Sequence, residues 1–427
     1  MAFSSTVTNF LKSKYTDGAI PKQVIDQFPL FSRIPKRSDG GGDQLISSVL
    51  IGRPQGIGNT LAIAQAGASQ GSALQDIKGR KWIVQWGDYS ASVYIDDKSI
   101  KASRNNETAF LNWLNDEIDQ LQQQYLEHMS TLLFADAGRS IGAGTIAIGV
   151  ITLTTAADII KFPLGAMIQA SAAAGNLTSD TLLGAGSIGY VIAQDEGAGT
   201  VTVASAAGSP TAATPGSWAG SMFFFRNGDF GGSGAGTIYQ GLGAWVPATA
   251  PTAGDSFNGV DRSVAPSQLA GFRLLSTDVV GMSTKQRITR LLTLMNTRGT
   301  TAGVTDVVLN PEKWQVLADE VQATGWRMLG ETAETQINYN SIKVAIGGKV
   351  LDIVSDRHCP FATCFALTMP KNGQNICLWS MDNLPFVVRE DGLEIFRSAT
   401  ANTYEHRLQG YPAMLIRAPG WCGRCPV

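Results

Sequence analysis

Residues 106–136, which read NETAFLNWLNDEIDQLQQQYLEHMSTLLFAD, carry the strongest structural signal in the chain. Apolar side chains and one histidine recur there every three or four positions, which is the spacing of one helix face. The members of this seam are Leu111, Leu114, Ile118, Leu121, Tyr125, His128 and Leu132. Neither Pro nor Gly interrupts the stretch, and Gly138 follows as a stop signal. We therefore predict one continuous helix, roughly 46 Å long.

Opposite net charges meet at the start of this helix. The stretch itself holds six acidic residues and no Lys or Arg, whereas residues 1–104 hold 13 basic and 8 acidic residues. A region of net charge +5 therefore precedes a helix of net charge −6. We expect the two regions to pair, either within one subunit or between neighbouring subunits.

The sequence before the helix predicts an arm and then strands. Residues 1–43 are polar apart from a Pro-bounded apolar patch at 21–34, and they end at Gly40-Gly41-Gly42. This pattern favours an extended arm with one short helix. Residues 44–51 are typical of a short strand, and the Gly-, Ala- and Ser-rich stretch 52–79 is expected to be mobile.

Residues 79–100 predict a β-hairpin, because aromatic and β-branched residues surround a Gly87-Asp88 turn. Trp82, Trp86, Tyr89 and Tyr94 alternate along it. An isolated hairpin is marginal in water, so an aromatic, projecting hairpin favours contact with a neighbouring subunit. We take these four side chains as candidate intersubunit contacts. The alternative is that they pack on the core of their own chain.

Residues 140–260 differ in composition from both flanks. They contain two basic residues, six acidic residues and no His or Cys, and short β-like runs alternate with Gly-rich turns. The pattern predicts an inserted all-β domain, either a barrel or a sandwich.

Residues 261–427 mix helical and strand patterns. Residues 283–298 predict an amphipathic helix. A strand at 304–309 leads into Asn310-Pro311-Glu312, an N-cap followed by Pro at the first helical position, with the next helix running to residue 324. Strand patterns fill the remainder, so we expect an α+β fold interrupted by the all-β insertion.

Composition restricts the classes of function. Charged residues make up 16% of the chain and the net charge is −2, which argues against a basic surface that wraps nucleic acid. The stretches that lack charge are rich in Gly, Ser, Thr and Pro, unlike the apolar run of about 20 residues that crosses a membrane. The first 20 residues resemble no secretory signal. All five cysteines follow residue 358, and their odd number favours a reducing compartment.

Few residues suggest chemistry. Gly184-Ala185-Gly186-Ser187-Ile188-Gly189 matches a dinucleotide-binding pattern, but strand-like rather than helical sequence follows it. Zinc ligands could come from a cluster that is also explained as small core residues, namely His358, Cys359, Cys364, Cys377, Cys422 and Cys425. His128 lies on the apolar seam, where a packed histidine is favoured over a catalytic base. We assign no catalytic, cofactor-binding or metal-binding residue.

The order of these parts resembles the major capsid proteins of tailed bacteriophages with the Hong Kong 97-type shell fold. Leu133-Phe134-Ala135-Asp136-Ala137-Gly138 resembles the end of that family's spine helix. Similar local sequence recurs further along the chain, at 258–263, 269–271, 310–314 and 419–420. The tail around Cys422 and Cys425 has no counterpart in the pattern.

The resemblance implies an N-arm at 1–43, an E-loop hairpin at 44–104 and a P-domain spine helix at 105–139. The inserted β-domain would occupy 140–260, and the A-domain with the remaining P-domain strands would occupy 261–427. The family's function is structural: hexamers and pentamers form an icosahedral shell around packaged double-stranded DNA. A separate scaffolding protein and a portal are implied partners, DNA contacts would be weak and non-specific, and no membrane is involved.

The implied location is the virion, after assembly in the host cytoplasm. The alternatives are a nanocompartment shell protein of the same fold, which usually lacks a large insertion, and a β-rich binding or adhesin module. An enzyme that uses the Cys/His cluster is a further alternative that no motif favours.

Overall fold

The structure is a computed structural model. It describes residues 28–51, 57–66, 79–97, 113–177, 179–231, 239–297, 304–323, 342–346, 349–369, 375–381, 386–387, 395–397 and 403–427. The first 27 residues of the predicted arm, most of 52–78 and the predicted helix start at 106–112 lie outside these ranges.

Helices and strands are numbered in chain order. The helices are α1 (Pro29–Arg33), α2 (Trp113–Phe134), α3 (Leu242–Trp245), α4 (Pro266–Leu269), α5 (Thr284–Thr297) and α6 (Pro311–Ala323). The strands before the barrel are β1 (Lys36–Arg37), β2 (Gln44–Leu50), β3 (Gly79–Gln85) and β4 (Tyr89–Asp96). The barrel strands are β5 (Gly142–Ala147), β6 (Val150–Leu153), β7 (Met167–Ser171), β8 (Gly189–Asp195), β9 (Thr200–Ala204) and β10 (Gly220–Arg226).

The strands that follow the barrel complete the set. They are β11 (Ser256–Phe257), β12 (Val260–Asp261), β13 (Phe272–Arg273), β14 (Asp306–Leu309), β15 (Ile342–Ile346), β16 (Lys349–Ser355), β17 (Thr363–Leu367), β18 (Ile376–Ser380), β19 (Phe386–Val387), β20 (Ile395–Arg397), β21 (Thr403–Gly410), β22 (Pro412–Ile416) and β23 (Gly423–Pro426). Short 3-10 helices lie at Ala156–Lys161, Leu183–Ala185, Arg262–Val264, Ser276–Val279 and Pro419–Trp421.

The predicted long helix is confirmed over Trp113–Phe134. Four members of the seam, Leu121, Tyr125, His128 and Leu132, are buried. Two of them, Tyr125 and Leu132, belong to a central core that also takes in α1, β3, β18 and β22. Glu127 on the same helix pairs with Arg357 at 2.9 Å, and so part of the helix's negative charge is neutralised within the subunit.

The short helix predicted in the arm is α1. Its Leu30 and Phe31 side chains are buried in the central core, and the Leu30 amide donates to Asp356 Oδ2 at 3.0 Å. Arg33 forms an ion pair with Asp306 on β14. These contacts fix the chain just before it enters the β2–β3 region.

A mixed sheet with strand order β13-β23-β17-β14-β16-β15 holds a second core against α5 and α6. The predicted N-cap of α6 is confirmed, because Asn310 Oδ1 accepts a hydrogen bond from the Glu312 amide at 3.1 Å. The Asn310 side chain also donates to the Cys359 carbonyl at 3.2 Å, which joins the start of α6 to the loop before β17.

The N-terminus of α5 is capped by a carboxylate from α6. Glu320 accepts hydrogen bonds from the amides of Thr284 and Lys285, at 3.0 and 2.9 Å. Burial acts to raise the pKa of Glu320, but these backbone hydrogen bonds, together with side-chain hydrogen bonds from Ser283 and Thr284, outweigh it and the net pKa is lowered. A carboxylate at this position also opposes the positive end of the helix dipole.

We expect Glu320→Gln to lower the free energy of unfolding by about 0.5–1 kcal/mol at pH 7, a value reduced by the partial solvent exposure of the group. Because the folded-state pKa is depressed, the carboxylate's contribution is present above the unfolded pKa of about 4.3 and is lost as pH falls through the folded pKa. Urea unfolding at pH 7 and pH 3 tests this. If the free energy of unfolding of Glu320→Gln differs from that of the original chain by the same amount at pH 7 and pH 3, the charge of Glu320 is not the cause.

The composition-distinct segment contains a closed β-barrel with strand order β10-β5-β6-β9-β8-β7. Its interior is a separate apolar core that includes Ile151, Phe162, Ile168, Val201 and Phe224. The barrel ends at Arg226, earlier than the predicted boundary at 260. Residues 242–260 belong instead to the central core, where Leu242, Trp245, Phe257 and Val260 are buried.

The predicted pairing of residues 81–86 with 89–95 is wrong. β3 pairs antiparallel with β2, and β4 pairs antiparallel with β21. Gly87 lacks the positive φ that a two-residue hairpin turn requires, and its amide donates to the Pro412 carbonyl at 2.8 Å. The chain therefore passes through Trp86–Asp88 from one sheet to the next and does not close a hairpin.

No helix in the described ranges is long and apolar enough to cross a membrane.

A candidate subunit interface

β2 and β3 form an antiparallel ribbon, which runs from the Gln44–Gln85 pair at its base to the Leu50–Gly79 pair at its far end. Alternation along β2 gives the ribbon two faces. Leu45 and Val49 pack against the central core, while Ile46 and Leu50 point away from it and are exposed. The inner face therefore packs on the core of its own chain, whereas the outer face is exposed.

Trp82 anchors the inner face of the ribbon. Its side chain is 0% exposed and packs edge-to-face on Trp245, with ring centroids 5.1 Å apart. Phe257 completes the cluster, at 6.4 Å from Trp82 and 5.1 Å from Trp245. The prediction that Trp82 contacts a neighbouring subunit is therefore wrong. It belongs to its own chain's core, because the strand face that bears it turns toward α3 and β11.

The other three aromatic candidates lie in different surroundings. The Trp86 indole is partly buried and donates to the Gly42 carbonyl at 2.9 Å. Tyr89 is partly buried, with its ring 4.7 Å from Tyr125 and 5.0 Å from His128 on α2. Tyr94 on β4 is exposed. Tyr94 is thus the aromatic candidate with the most surface open to a neighbour, and its intersubunit role stays a prediction.

The glycines that precede the ribbon allow close packing on Trp86. A Cβ on Gly40 would overlap the Trp86 ring and the Ser380 carbonyl, and the Gly40 amide donates to that carbonyl at 3.1 Å. Gly42 has a φ of +80°, which a glycine adopts without strain. The glycine run that was predicted to end the arm therefore packs against Trp86, next to the base of the ribbon.

A tight turn at Asn258-Gly259 supports β3 from the side. Both residues have positive φ, 48° and 78°, as a two-residue hairpin turn between β11 and β12 requires. The Asn258 carbonyl accepts from the Ile83 amide at 2.9 Å. The Asn258-Gly259 pair is itself a hairpin signal in the sequence, although the predicted strands did not include this turn.

Arg262 holds this turn in place. Its guanidinium donates to the Ala244 carbonyl at 2.7 Å and to both carboxylate oxygens of Asp255, at 3.3 and 3.0 Å. It also lies over the Phe257 ring, 4.2 Å from the centroid. Burial lowers the pKa of Arg262, and Asp255 acts in the opposite direction.

The outer face of the ribbon and the segment that follows it display large apolar side chains. Five such residues occur within 18 positions: Ile46, Leu50, Ile57, Leu61 and Ile63. They are between 53% and 86% exposed. We call these five residues the 46–63 apolar surface. Scattered exposed apolar residues are normal, whereas a concentration of them marks an interaction site.

His358 is engaged at both ring nitrogens. Arg357 Nε donates to its Nε2 at 3.2 Å, and its Nδ1 lies 3.1 Å from Thr131 Oγ1. The Thr131 hydroxyl donates to the Glu127 carbonyl, so His358 is the neutral tautomer with the proton on Nδ1. Burial and the Arg357 charge lower its pKa to about 3. This imidazole is a structural link and not a free base.

The remaining chemical candidates are also placed in packed surroundings. His128 Nε2 lies 2.7 Å from Asp229 Oδ2, and both side chains are buried between α2 and the end of the barrel. Within the described ranges, no three or more His, Cys, Asp or Glu side chains are arranged to hold a metal ion.

The Gly184–Gly189 pattern lies in the barrel segment, where it joins a 3-10 helix to strand β8. A dinucleotide site would need a helix there.

A cleft of about 940 Å³ separates the barrel from the central core. Charged residues of both signs line it, and two pairs of opposite charge form there. Lys161 contacts Asp158 at 2.6 Å and Arg262 contacts Asp255 at 3.0 Å. Asp136, Arg139 and Arg424 also line the cleft, so its lining has four basic and three acidic side chains and no large excess of either charge.

The sequence matches no protein-family model and no curated protein. Among solved structures, the chain is similar to the capsid asymmetric unit of cyanophage A-1(L), with a TM-score of 0.49 and 10% identity over 96% of this chain and 94% of that one. It is similar to the capsid of an empty GTA particle, with a TM-score of 0.45 and 8% identity over 100% and 99%. It is also similar to the SrpI encapsulin of Synechococcus elongatus, with a TM-score of 0.42 and 9% identity over 100% and 96%.

Proposed function

We propose that this chain is the major capsid protein of a tailed bacteriophage, a non-catalytic subunit that assembles into hexamers and pentamers of an icosahedral shell around packaged double-stranded DNA. The observation that carries the proposal is the 46–63 apolar surface, which starts on a ribbon whose inner face is already fixed to the core. The order of arm, ribbon, long helix and mixed α+β region supports the same conclusion.

Apolar exposure of this kind favours self-association. Each exposed Leu or Ile leaves a side chain in water that would contribute about 1.5–3 kcal/mol if it were fully buried. A monomer with five such residues in one segment is therefore poorly adapted to remain alone. A repeating shell would cover this surface with a second copy of the same chain.

A shell subunit must also fit several slightly different environments. The β2–β3 ribbon suits this requirement, because Trp82 and Trp86 fix it to its own chain while Ile46 and Leu50 on its outer face are exposed. The outer face can meet differently placed neighbours without disturbing the packed core. The barrel, which has an apolar core of its own, is the proposed insertion domain on the outer surface of the shell.

Contacts with DNA would be weak and independent of base sequence. The net charge is −2, and the basic residues available for an inner patch come from the arm: Lys12, Lys14, Lys22, Arg33, Lys36 and Arg37. Three of these already have partners, since Arg33 pairs with Asp306, Lys36 lies over Phe31 and Arg37 lies over Trp379. A scaffolding protein, a portal, assembly in the host cytoplasm and residence in the virion belong to the same proposal.

Electron microscopy of the purified full chain tests this function. Closed shells or capsomers are expected, whereas dispersed monomers at high protein concentration would overturn the proposal of self-assembly. The contents of particles made in phage-infected cells separate the shell types. Packaged double-stranded DNA supports a capsid, and enclosed enzyme in place of DNA would assign the chain to a nanocompartment.

We expect the double variant Leu50→Asp with Leu61→Asp to abolish shell formation. Both side chains are exposed, so the free energy of unfolding should change by no more than about 0.5 kcal/mol. The introduced charges would have to be buried without partners in the interface, which is strongly unfavourable. Sedimentation velocity and urea unfolding measure the two properties separately.

Ile148→Asp is the matched control for that variant. Ile148 is exposed to a similar degree but lies on the β5–β6 turn of the barrel. We expect it to leave the shell yield unchanged. If the double variant assembles as well as the original chain, the 46–63 apolar surface is not the interface.

A further inference from the structure

Two buried thiols lie in contact across neighbouring strands of the mixed sheet. Cys364 on β17 and Cys425 on β23 are directly opposite in antiparallel register. Their sulfur atoms are 2.7 Å apart and both side chains are 0% exposed. Opposite residues of an antiparallel pair have Cα atoms about 4.5–5.5 Å apart, which lies inside the range that a disulfide spans.

We propose that Cys364 and Cys425 form a disulfide on oxidation and that this bond locks β23 into the sheet. The inference concerns the fold of a single chain and does not depend on the proposed function. It gives a role to part of the C-terminal cysteine pattern that the shell resemblance left unplaced.

The geometry selects this pair over the neighbouring C-x2-C spacing. Cys422 and Cys425 are three positions apart, and side chains at an odd spacing on an extended chain point to opposite faces. Cys422 accordingly packs in the central core, whereas Cys425 packs with Cys364 in the core under the mixed sheet. The Cys422 sulfur accepts from Asn375 Nδ2 at 3.8 Å.

The other two cysteines have backbone carbonyls as neighbours. The Cys359 thiol donates to the Thr363 carbonyl at 3.4 Å, and the Cys377 thiol donates to the Pro35 carbonyl at 3.3 Å. These thiols therefore act as internal references that should stay reduced under conditions that oxidise the Cys364–Cys425 pair.

The reaction needs a two-electron oxidant small enough to reach a buried site, and we name a hydroperoxide. One thiolate attacks the peroxide O–O bond, becomes a sulfenic acid and releases hydroxide, which takes up a proton to form water. The second thiol then attacks the sulfenic sulfur, so that the S–S bond forms and the S–O bond breaks, with release of a second water. Two thiols are oxidised and one hydrogen peroxide is reduced to two waters.

The surroundings predict a slow reaction at neutral pH. The hydrogen bond with Cys364 and burial raise the pKa of the Cys425 thiol. Since the thiolate is the reactive form, oxidation should accelerate as pH rises.

The bond would act on the last strand of the described chain. β23 contributes only Gly423–Pro426, and it lies between β13 and β17. Linking residues 61 positions apart restricts the unfolded chain, which stabilises the folded one. Without the bond, β23 is held by main-chain hydrogen bonds, by packing and by the Arg424 side chain, which donates to Thr363 Oγ1 at 3.5 Å and lies over the Phe365 ring.

The test uses the full chain, purified with reductant and then treated with hydrogen peroxide at pH 8. Mass spectrometry after digestion without reductant should find a linked peptide pair that contains Cys364 and Cys425, lighter by two hydrogen atoms. The thermal midpoint should rise by on the order of 5 °C and return after dithiothreitol treatment. Cys364→Ala should lose both effects, which also controls for methionine oxidation, and Cys422→Ala should keep both.

Two results would overturn the inference. One is a folded chain in which peroxide leaves Cys364 and Cys425 unlinked at every dose, or links Cys425 to Cys422. The other is a Cys364–Cys425 link that leaves the thermal midpoint unchanged, since the bond would then not lock the strand.

Discussion

Trp82→Ala is expected to lower the free energy of unfolding by about 3–5 kcal/mol, because it removes a fully buried indole from a packed cluster. The cavity would open between Trp245 and Phe257, which lie at 5.1 and 6.4 Å from the indole. The surrounding elements β3, β11 and α3 are tied together by Arg262 and the Asn258-Gly259 turn, so they are poorly placed to collapse into the space. Urea unfolding of the variant gives the value directly.

Trp86→Ala is the matched control for Trp82→Ala. That indole is only partly buried and makes one hydrogen bond, to Gly42, so about 1 kcal/mol is expected. Trp82→Phe should cost less than Trp82→Ala, because it keeps a ring in the cluster. It also removes an indole N–H for which the described residues supply no acceptor. If Trp82→Ala leaves unfolding unchanged and blocks only assembly, the side chain lies in an interface and its placement in the core is mistaken.

Gly138→Ala is expected to lower the free energy of unfolding by about 3 kcal/mol. A Cβ at this position would overlap the Ala174 carbonyl and the Asn176 side chain, which belong to the barrel side of the junction. The Gly138 carbonyl also accepts from the Gly231 amide at 3.2 Å, where the chain returns from the barrel. The barrel segment therefore lies too close to Gly138 for a side chain there, and thermal unfolding should show the loss.

Gly41→Ala is the control for Gly138→Ala. Gly41 has open space around the added Cβ and does not have a positive φ, so its change should stay within about 0.5 kcal/mol. Equal unfolding midpoints for the two variants would mean that the chains at the barrel junction are free to separate.

Local sequence predicted the elements whose signals lie within one stretch of chain. The α2 seam, the Asn310 cap of α6 and the β-rich character of the barrel segment all depend on side chains a few positions apart. Helical periodicity and capping involve residues a few positions apart, so both can be recognised in the sequence. The candidate site was predicted only in outline: of the four aromatic candidates only Tyr94 is exposed, and none of the five residues of the 46–63 apolar surface was named.

The pairing between strands could not be predicted from local sequence. The Trp86-Gly87-Asp88 stretch looked like a turn, but the Pro412 carbonyl accepts the Gly87 amide and β21, more than 300 positions away, takes up β4. Gly138 looked like a left-handed helix stop, whereas its neighbour Arg139 has the positive φ and Gly138 is required by close chain contact. In both cases the deciding partner is distant in sequence.

By itself, then, the sequence determined the long helix, the change of composition that marks the barrel and the mixed α+β character of the remainder, because these follow from spacing along the chain. Only the tertiary structure decided that Trp82 is an internal anchor while Ile46 and Leu50 face outward, and that Cys425 meets Cys364 and not Cys422. The physical reason is that a strand has two equivalent faces in sequence. Which face is buried depends on the element that packs against it.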